Sequence, residues 1–178
     1  MSLRVKIDRA RSLVIIIVIT LTLCACGSAP STFRPLSQSE VEAFSVEQGV
    51  TFLNQRTFED SRLLLYEKGT SFGYYTLSVR APEGELVMNR LSASKPNDPI
   101  LVFGQSSGTY PFVAVIIQAP ALSAETTTVE VADSSGSSLT MPTHGEVSAV
   151  LVSPAFAEGW GAVTLYDAQG EVLYRQES

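Results

Sequence analysis

The chain has 178 residues, 45% of them hydrophobic, with 12 Lys and Arg against 18 Asp and Glu and a net charge of −6. That length suits one domain, or two very small ones. The acidic balance repels phosphate backbones, which sets nucleic acid aside as a partner, and two cysteines cannot build a disulfide framework.

The first stretch decides the compartment. Arg4, Lys6, Arg9 and Arg11 precede an uncharged apolar run from Leu13 to Leu23, interrupted only by Thr20 and Thr22. The run is about half of the ~20 residues needed to span a bilayer. A short apolar run behind a positive start, ending in small residues, predicts a secretory signal rather than a stable span.

The ending Leu23-Cys24-Ala25-Cys26-Gly27 resembles the lipobox of bacterial lipoproteins. Leu23, Ala25 and Cys26 stand at that motif's −3, −1 and +1 places. The resemblance implies a diacylglyceryl group on the Cys26 sulfur and cleavage before it, so that residues 1–25 are a signal peptide. One acyl chain holds a protein on a membrane marginally, and two hold it stably. Cleavage leaves 153 of the 178 residues. It removes four cations, Asp8 and Cys24, leaving 8 Lys and Arg against 17 acids, a net −9. Cys26 is then the sole cysteine and is acylated, which excludes an internal disulfide and a cysteine metal site. Between Lys95 and Arg175 there is no Lys or Arg, against eight acids.

Residues 26–36, rich in Gly, Ser and Pro from Gly27 to Leu36, are expected to be a flexible tether. A helix is expected from Ser37, whose spacing to Glu40 is that of a capping box, with Leu36 and Val41 at staple spacing. It should run to about Gln48 and stop at Gly49, with Val41 and Phe44 on one face.

Beyond Gly49 the hydrophobic period becomes two. Strands are expected at 50–53, 62–67, 72–80, 85–92, 100–103, 112–118, 127–132, 137–141, 147–152, 161–166 and 171–176. Turn signals separate nearly all of them, among them Lys68-Gly69, Pro82-Glu83-Gly84, Asp133 to Gly136 and Asp167 to Gly170. Asp167 is expected to cap its own turn, with Gly170 at the positive-φ place. Short strands at this spacing predict a mainly β fold, an antiparallel Ig-like β-sandwich with a short N-terminal helix. The Pro-rich break at Lys95–Pro99 is expected to divide an α+β part, residues 37–95, from a β-sandwich part, residues 96–178.

Phe58 to Glu67, Gly73-Tyr74-Tyr75 and the ending LYDAQGEVLY resemble stretches of small bacterial lipoproteins of unknown function. That resemblance implies the same architecture and no mechanism.

Several constellations bear on chemistry. Gly104-Gln105-Ser106-Ser107-Gly108 matches G-x-S-x-G, and Asp133 and His144 follow in the chain order of α/β-hydrolases. Ser106 would be the nucleophile, His144 the base and Asp133 its orienting partner. That elbow requires a helix directly after the serine, whereas Thr109-Tyr110-Pro111 leads into FVAVIIQ, a β-run. The expected reading is a loop between strands. His144 is the single histidine and is expected in an exposed turn, with no transition-metal site. Glu83, Glu85 and Asp133 with its serines offer oxygens for a loop-bound Ca²⁺, but at no EF-hand spacing. Glu59-Asp60 reads as the polar lead-in to a strand.

Phe72, Tyr74, Tyr75, Tyr110 and Phe112 are expected to pack in the core. Tyr74 and Tyr75 must point to opposite sheet faces, and an exposed one beside Phe103 or Tyr110 would mark a binding surface. Trp160, between two glycines, is expected to hold the last hairpin against the sandwich.

No cofactor and no catalytic residue is expected. The role expected is that of a non-enzymatic binding or structural lipoprotein, held to the membrane through Cys26, facing outside the cytoplasm and serving as an accessory subunit to an envelope protein partner. A small-ligand or cation-binding module is the alternative, and a serine hydrolase the remote one.

Overall fold

The computed structural model describes residues 32–94 and 97–178. Cys26 and the expected signal peptide lie outside the described residues, as does part of the 95–99 break. The fold is mainly β, with antiparallel sheets and few helices.

After a short strand β1 (Thr32–Arg34), helix α1 spans Gln38–Gln48. The expected tether thus reaches less far than residue 36. Thr32–Arg34 pairs with a later strand, Leu36 is buried beside the helix, and the Arg80 guanidinium lies 5.7 Å over the Phe33 ring.

The helix starts as its caps dictate. The Ser37 side chain accepts from the Glu40 backbone N–H, and the Ser37 N–H donates to Glu40 Oε2 at 2.7 Å. Gly49 ends it at φ 59, a left-handed conformation that glycine adopts without Cβ strain. Arg34 adds two hydrogen bonds to the Glu40 carboxylate, at 2.9 and 2.8 Å.

The Glu40 carboxyl is thereby lowered from an ordinary 4.5 to about 2, first by Arg34 and then by the Ser37 backbone and hydroxyl. A carboxyl depressed in the folded state stabilises it fully above the unfolded value and loses that contribution as pH falls toward the folded value. Wild type should therefore exceed Glu40→Gln in melting temperature at about pH 6, with the gap closing between pH ~4.5 and ~2. Thermal melts of both chains across that range check this, and a gap independent of pH would refute it.

Four strands follow as a meander: β2 (Thr51–Thr57), β3 (Arg62–Lys68), β4 (Ser71–Ala81) and β5 (Glu85–Ser94). Each pairs antiparallel with the next, and β1 also joins β4. This is the first sheet. A central sheet of three strands has the order β10-β7-β6, from β6 (Ile100–Gln105), β7 (Phe112–Ile117) and β10 (Ser148–Val152). The outer sheet has the order β12-β11-β8-β9, from β8 (Thr128–Asp133), β9 (Ser138–Pro142), β11 (Trp160–Tyr166) and β12 (Val172–Glu177).

Strand alternation sorts the side chains into three cores. Val41 and Phe44 of α1 cover Leu64, Tyr66, Tyr75, Leu77 and Val79 on one face of the first sheet. Its other face, with Leu63, Leu65, Phe72 and Tyr74, packs on Phe112, Ala114, Ile116 and Val150 of the central sheet. The opposite face of the central sheet, with Val113, Val115, Ile117 and Leu151, packs on Val129, Val131, Val163 and Leu165 of the outer sheet. The sandwich is therefore a stack of helix and three sheets. All six residues of β7 are buried because both of its faces are covered. The first and central sheets share a core across residues 95–99, and Phe33–Ser178 form one compact unit.

The eleven expected strands are all present with slightly longer or shorter ends. The turns use the expected chemistry. Asp167 Oδ1 accepts from the N–H groups of Gln169 and Glu171, and Gly170 has φ 83. Asp133 Oδ1 accepts from the N–H groups of Ser135 and Ser137 and from the Ser135 hydroxyl. Trp160 packs against the core between the central and outer sheets, where Gly161 passes the Asp133 carbonyl so closely that a Cβ would stand 2.9 Å from its oxygen. Helix α2 (Pro120–Glu125) and the 3-10 helix Pro154–Glu158 complete the chain.

Candidate functional site

A cavity of about 580 Å³ forms a groove between α1 and β2. Gln38, Glu42 and Ser45 line it from the helix, and Phe52, Asn54 and Gln55 from the strand. Glu146, from the loop between β9 and β10, closes one end. A bulge in β2 shapes the strand side. The β2–β3 register shifts between Phe52 and Asn54, so Leu53 is the extra residue. Phe52 packs with the helix core and Leu53 with the core beneath the sheet.

The same bulge ties β2 to β10. Asn54 Nδ2 donates to Glu146 Oε2 at 2.8 Å and to the Ser148 carbonyl at 3.2 Å. The Ser148 hydroxyl donates to the Leu53 carbonyl at 3.3 Å. The groove wall is thus amide and carboxylate over a floor of Val41 and Phe52. Among the described residues that line it, Glu42 and Glu146 are the charged groups, and none is a cation. Such a lining can accept hydrogen bonds from hydroxyl or amino groups while its apolar floor takes a hydrocarbon face.

A second, smaller cleft of about 190 Å³ opens where the loop between β6 and β7 meets the first sheet. Phe58 and Tyr110 stack at 4.3 Å between ring centroids, nearly parallel. Asp60, Ser61, Thr76, Ser78 and Gln105 contribute polar groups. The Ser61 hydroxyl donates to Asp60 Oδ1 at 2.9 Å, and Glu59-Asp60 stand in the bend that leads from β2 into β3. Tyr74 and Tyr75 point to opposite faces, and both are buried. Burial pushes both phenols upward in pKa, with Arg90 opposing it at Tyr75. Tyr74 lies 6.0 Å from Phe103, so the pair expected to mark an exposed surface belongs to the core edge.

The hydrolase constellation stands in three loops. Ser106 is exposed, and the chain after it runs to β7 without a helix. Asp133 ends β8 with Oδ1 engaged in its own turn, which holds its carboxyl below the ordinary range, chiefly through the Ser135 hydroxyl. His144 is exposed at φ 52, in the turn closed by the Glu146 N–H on the Thr143 carbonyl. No hydrogen bond joins Ser106, Asp133 and His144 among the described residues. The oxygens considered for Ca²⁺ are also separated, since Glu85 pairs with Arg80 at 2.6 Å while Asp133 serves its turn. Among the described residues no three His, Cys, Asp or Glu side chains converge, and no helix is long and apolar enough to cross a membrane.

Searched against protein-family models, curated proteins and solved structures, the chain matches none.

The groove was hidden from a reading along the chain. Asn54 and Glu146 are 92 positions apart, and only the packing of β2 beside β10 joins them. The one local hint was Phe52-Leu53, two adjacent apolar residues that break the period-two alternation.

Proposed function

We propose that this chain is a lipid-anchored, extracytoplasmic binding protein without catalytic activity, serving as an accessory subunit of an envelope complex. The single observation that carries this reading is the Leu23-Cys24-Ala25-Cys26 ending of a short apolar run, six positions before β1. A domain so placed stays within a short reach of the bilayer, because an extended chain spans at most ~3.3–3.6 Å per residue. The disposition of Ser106, Asp133 and His144 supports a role without catalysis. The groove between α1 and β2 offers such a protein a polar, acid-lined place for a ligand or a partner's segment.

The test is fractionation and crosslinking in native membranes. Wild type should partition with the membrane, carry the mass of an acylated Cys26 N-terminus and crosslink to a defined protein. Cys26→Ala should leave that mass absent and the partner lost. Wild type recovered in the soluble fraction, or with unmodified Cys26, would overturn the reading.

A further inference from the structure

We propose that β5 is a dimerisation edge, pairing antiparallel about a two-fold axis with β5 of a second copy of this chain. β5 is ten residues long and pairs with β4 from Arg80↔Glu85 to Ser71↔Ser94 without a bulge. Among the described residues its other edge has no strand beside it. A long, regular, unpaired edge offers a row of backbone donors and acceptors to another strand, and proteins that stay monomeric blunt such edges with charge, proline or bulges.

The edge strands β2, β9 and β12 carry such devices, and β6 and β10, at the edges of the central sheet, are only six and five residues long and mostly covered. β2 is bulged at Leu53, β9 ends in Pro142, and β12 is bulged against β11 and carries Arg175 and Glu177. β5 instead exposes Leu86 at 44%, Met88 at 50% and Leu91 at 39%. Its two charges are already engaged. Glu85 pairs with Arg80, and Arg90 donates to the Tyr66 hydroxyl at 3.1 Å with its guanidinium 5.5 Å over the Tyr75 ring.

The sequence of β5 selects a second copy as the occupant. Opposed residues in an antiparallel pair share a face, so a two-fold axis must pass through a residue pair of equal number. With the axis at Val87, Leu86 opposes Met88 twice, Glu85 opposes Asn89 twice, and Arg90 opposes Gly84. Apolar groups meet apolar groups, carboxylates meet amides, and no like charges face each other. An axis at Met88 or Asn89 instead sets Glu85 and Arg90 against apolar or small side chains. The charge distribution agrees. Residues 97–178 hold nine acids and one cation, whereas residues 32–94 hold eight acids and six cations. Contact through β5 therefore joins two acidic chains through their least acidic part.

Val87→Cys in the full-length chain, treated in native membranes with a short bis-maleimide, tests this. On the axis the two Cβ atoms stand ~4.5–5.5 Å apart. Val87→Cys should give a product of twice the chain mass. The unmodified chain, with its native cysteines, and Leu139→Cys, exposed on the outer sheet, should not. Adding Met88→Lys to Val87→Cys should cut the product at least tenfold. A monomeric Val87→Cys chain with wild-type melting, equal crosslinking by Leu139→Cys, or a product containing a different protein would each overturn the proposal. If Val87→Cys does not fold, light scattering decides on chains without an added cysteine. Wild type should then be dimeric and Met88→Lys monomeric, and a monomeric wild type would overturn the proposal.

Discussion

Gly73→Ala is expected to destabilise the protein by about 3 kcal/mol or more, through overpacking that side-chain motion cannot relieve. A Cβ at Gly73 would drive into the Leu91 carbonyl oxygen and stand 2.9 Å from the Tyr66 ring. The carbonyl belongs to β5, which is held along its whole length by β4. The ring cannot retreat either, because Tyr66 stacks on Tyr75 at 4.7 Å and lies under Arg90 at 5.6 Å. The glycine is the space into which that aromatic stack folds. Gly69→Ala makes a fair comparison. Gly69 has φ 58 and nothing within 4 Å of a Cβ, so its alanine suffers only backbone strain, about 1 kcal/mol. Urea unfolding of both variants checks this. Equal shifts in midpoint would show that β5 yields at Leu91.

Ile116→Ala and Leu151→Ala are each expected to cost about 2–5 kcal/mol, the range for deleting large buried aliphatic groups. Both residues are 2% exposed, but they belong to different cores. Ile116 faces the first sheet and Leu151 faces the outer sheet. β7 and β10 are paired from Ser148↔Ile116 to Val152↔Phe112, so damage to either core reaches the other through one ladder. Both substitutions should therefore lower the midpoint of the same single transition, followed by circular dichroism and by Trp160 fluorescence together. Separation of the two signals in Leu151→Ala would show that the outer sheet unfolds alone.

Much of this architecture was legible because its local rules agree. The capping box at Ser37 and Glu40, the glycine at 49 and the Asp-led turns at 133 and 167 each specify their conformation within five residues. The strands followed from period-two patterning between such turns. What escaped was either too short or too distant. β1 has three residues, all exposed, and no apolar alternation. Helix α2 starts at Pro120 without a side-chain cap and buries none of its residues. The third sheet was implied by Phe112–Ile117, an unbroken apolar run that demands cover on both faces, yet nothing local says what provides that cover. The groove depends on a bulge, marked along the chain only by the adjacent apolar pair Phe52-Leu53, and on a bond spanning 92 positions, which has no local signature.

The strand order of the central sheet has a consequence for how the protein is made. β2 to β5 are neighbours in sequence, so the first sheet assembles from hairpins as soon as the chain has passed residue 94. The central sheet cannot be completed then, because β10 is separated from β7 by the whole of β8 and β9. Until residue 152 has emerged, Leu63, Leu65, Phe72 and Tyr74 have only β6 and β7 to cover them, and pairings between distant segments form slowly. A nascent chain therefore passes through a window in which a finished sheet still lacks part of the cover over its apolar inner face. β10 closes that window, so protection from aggregation during biogenesis waits on a strand made well after the sheet it shields.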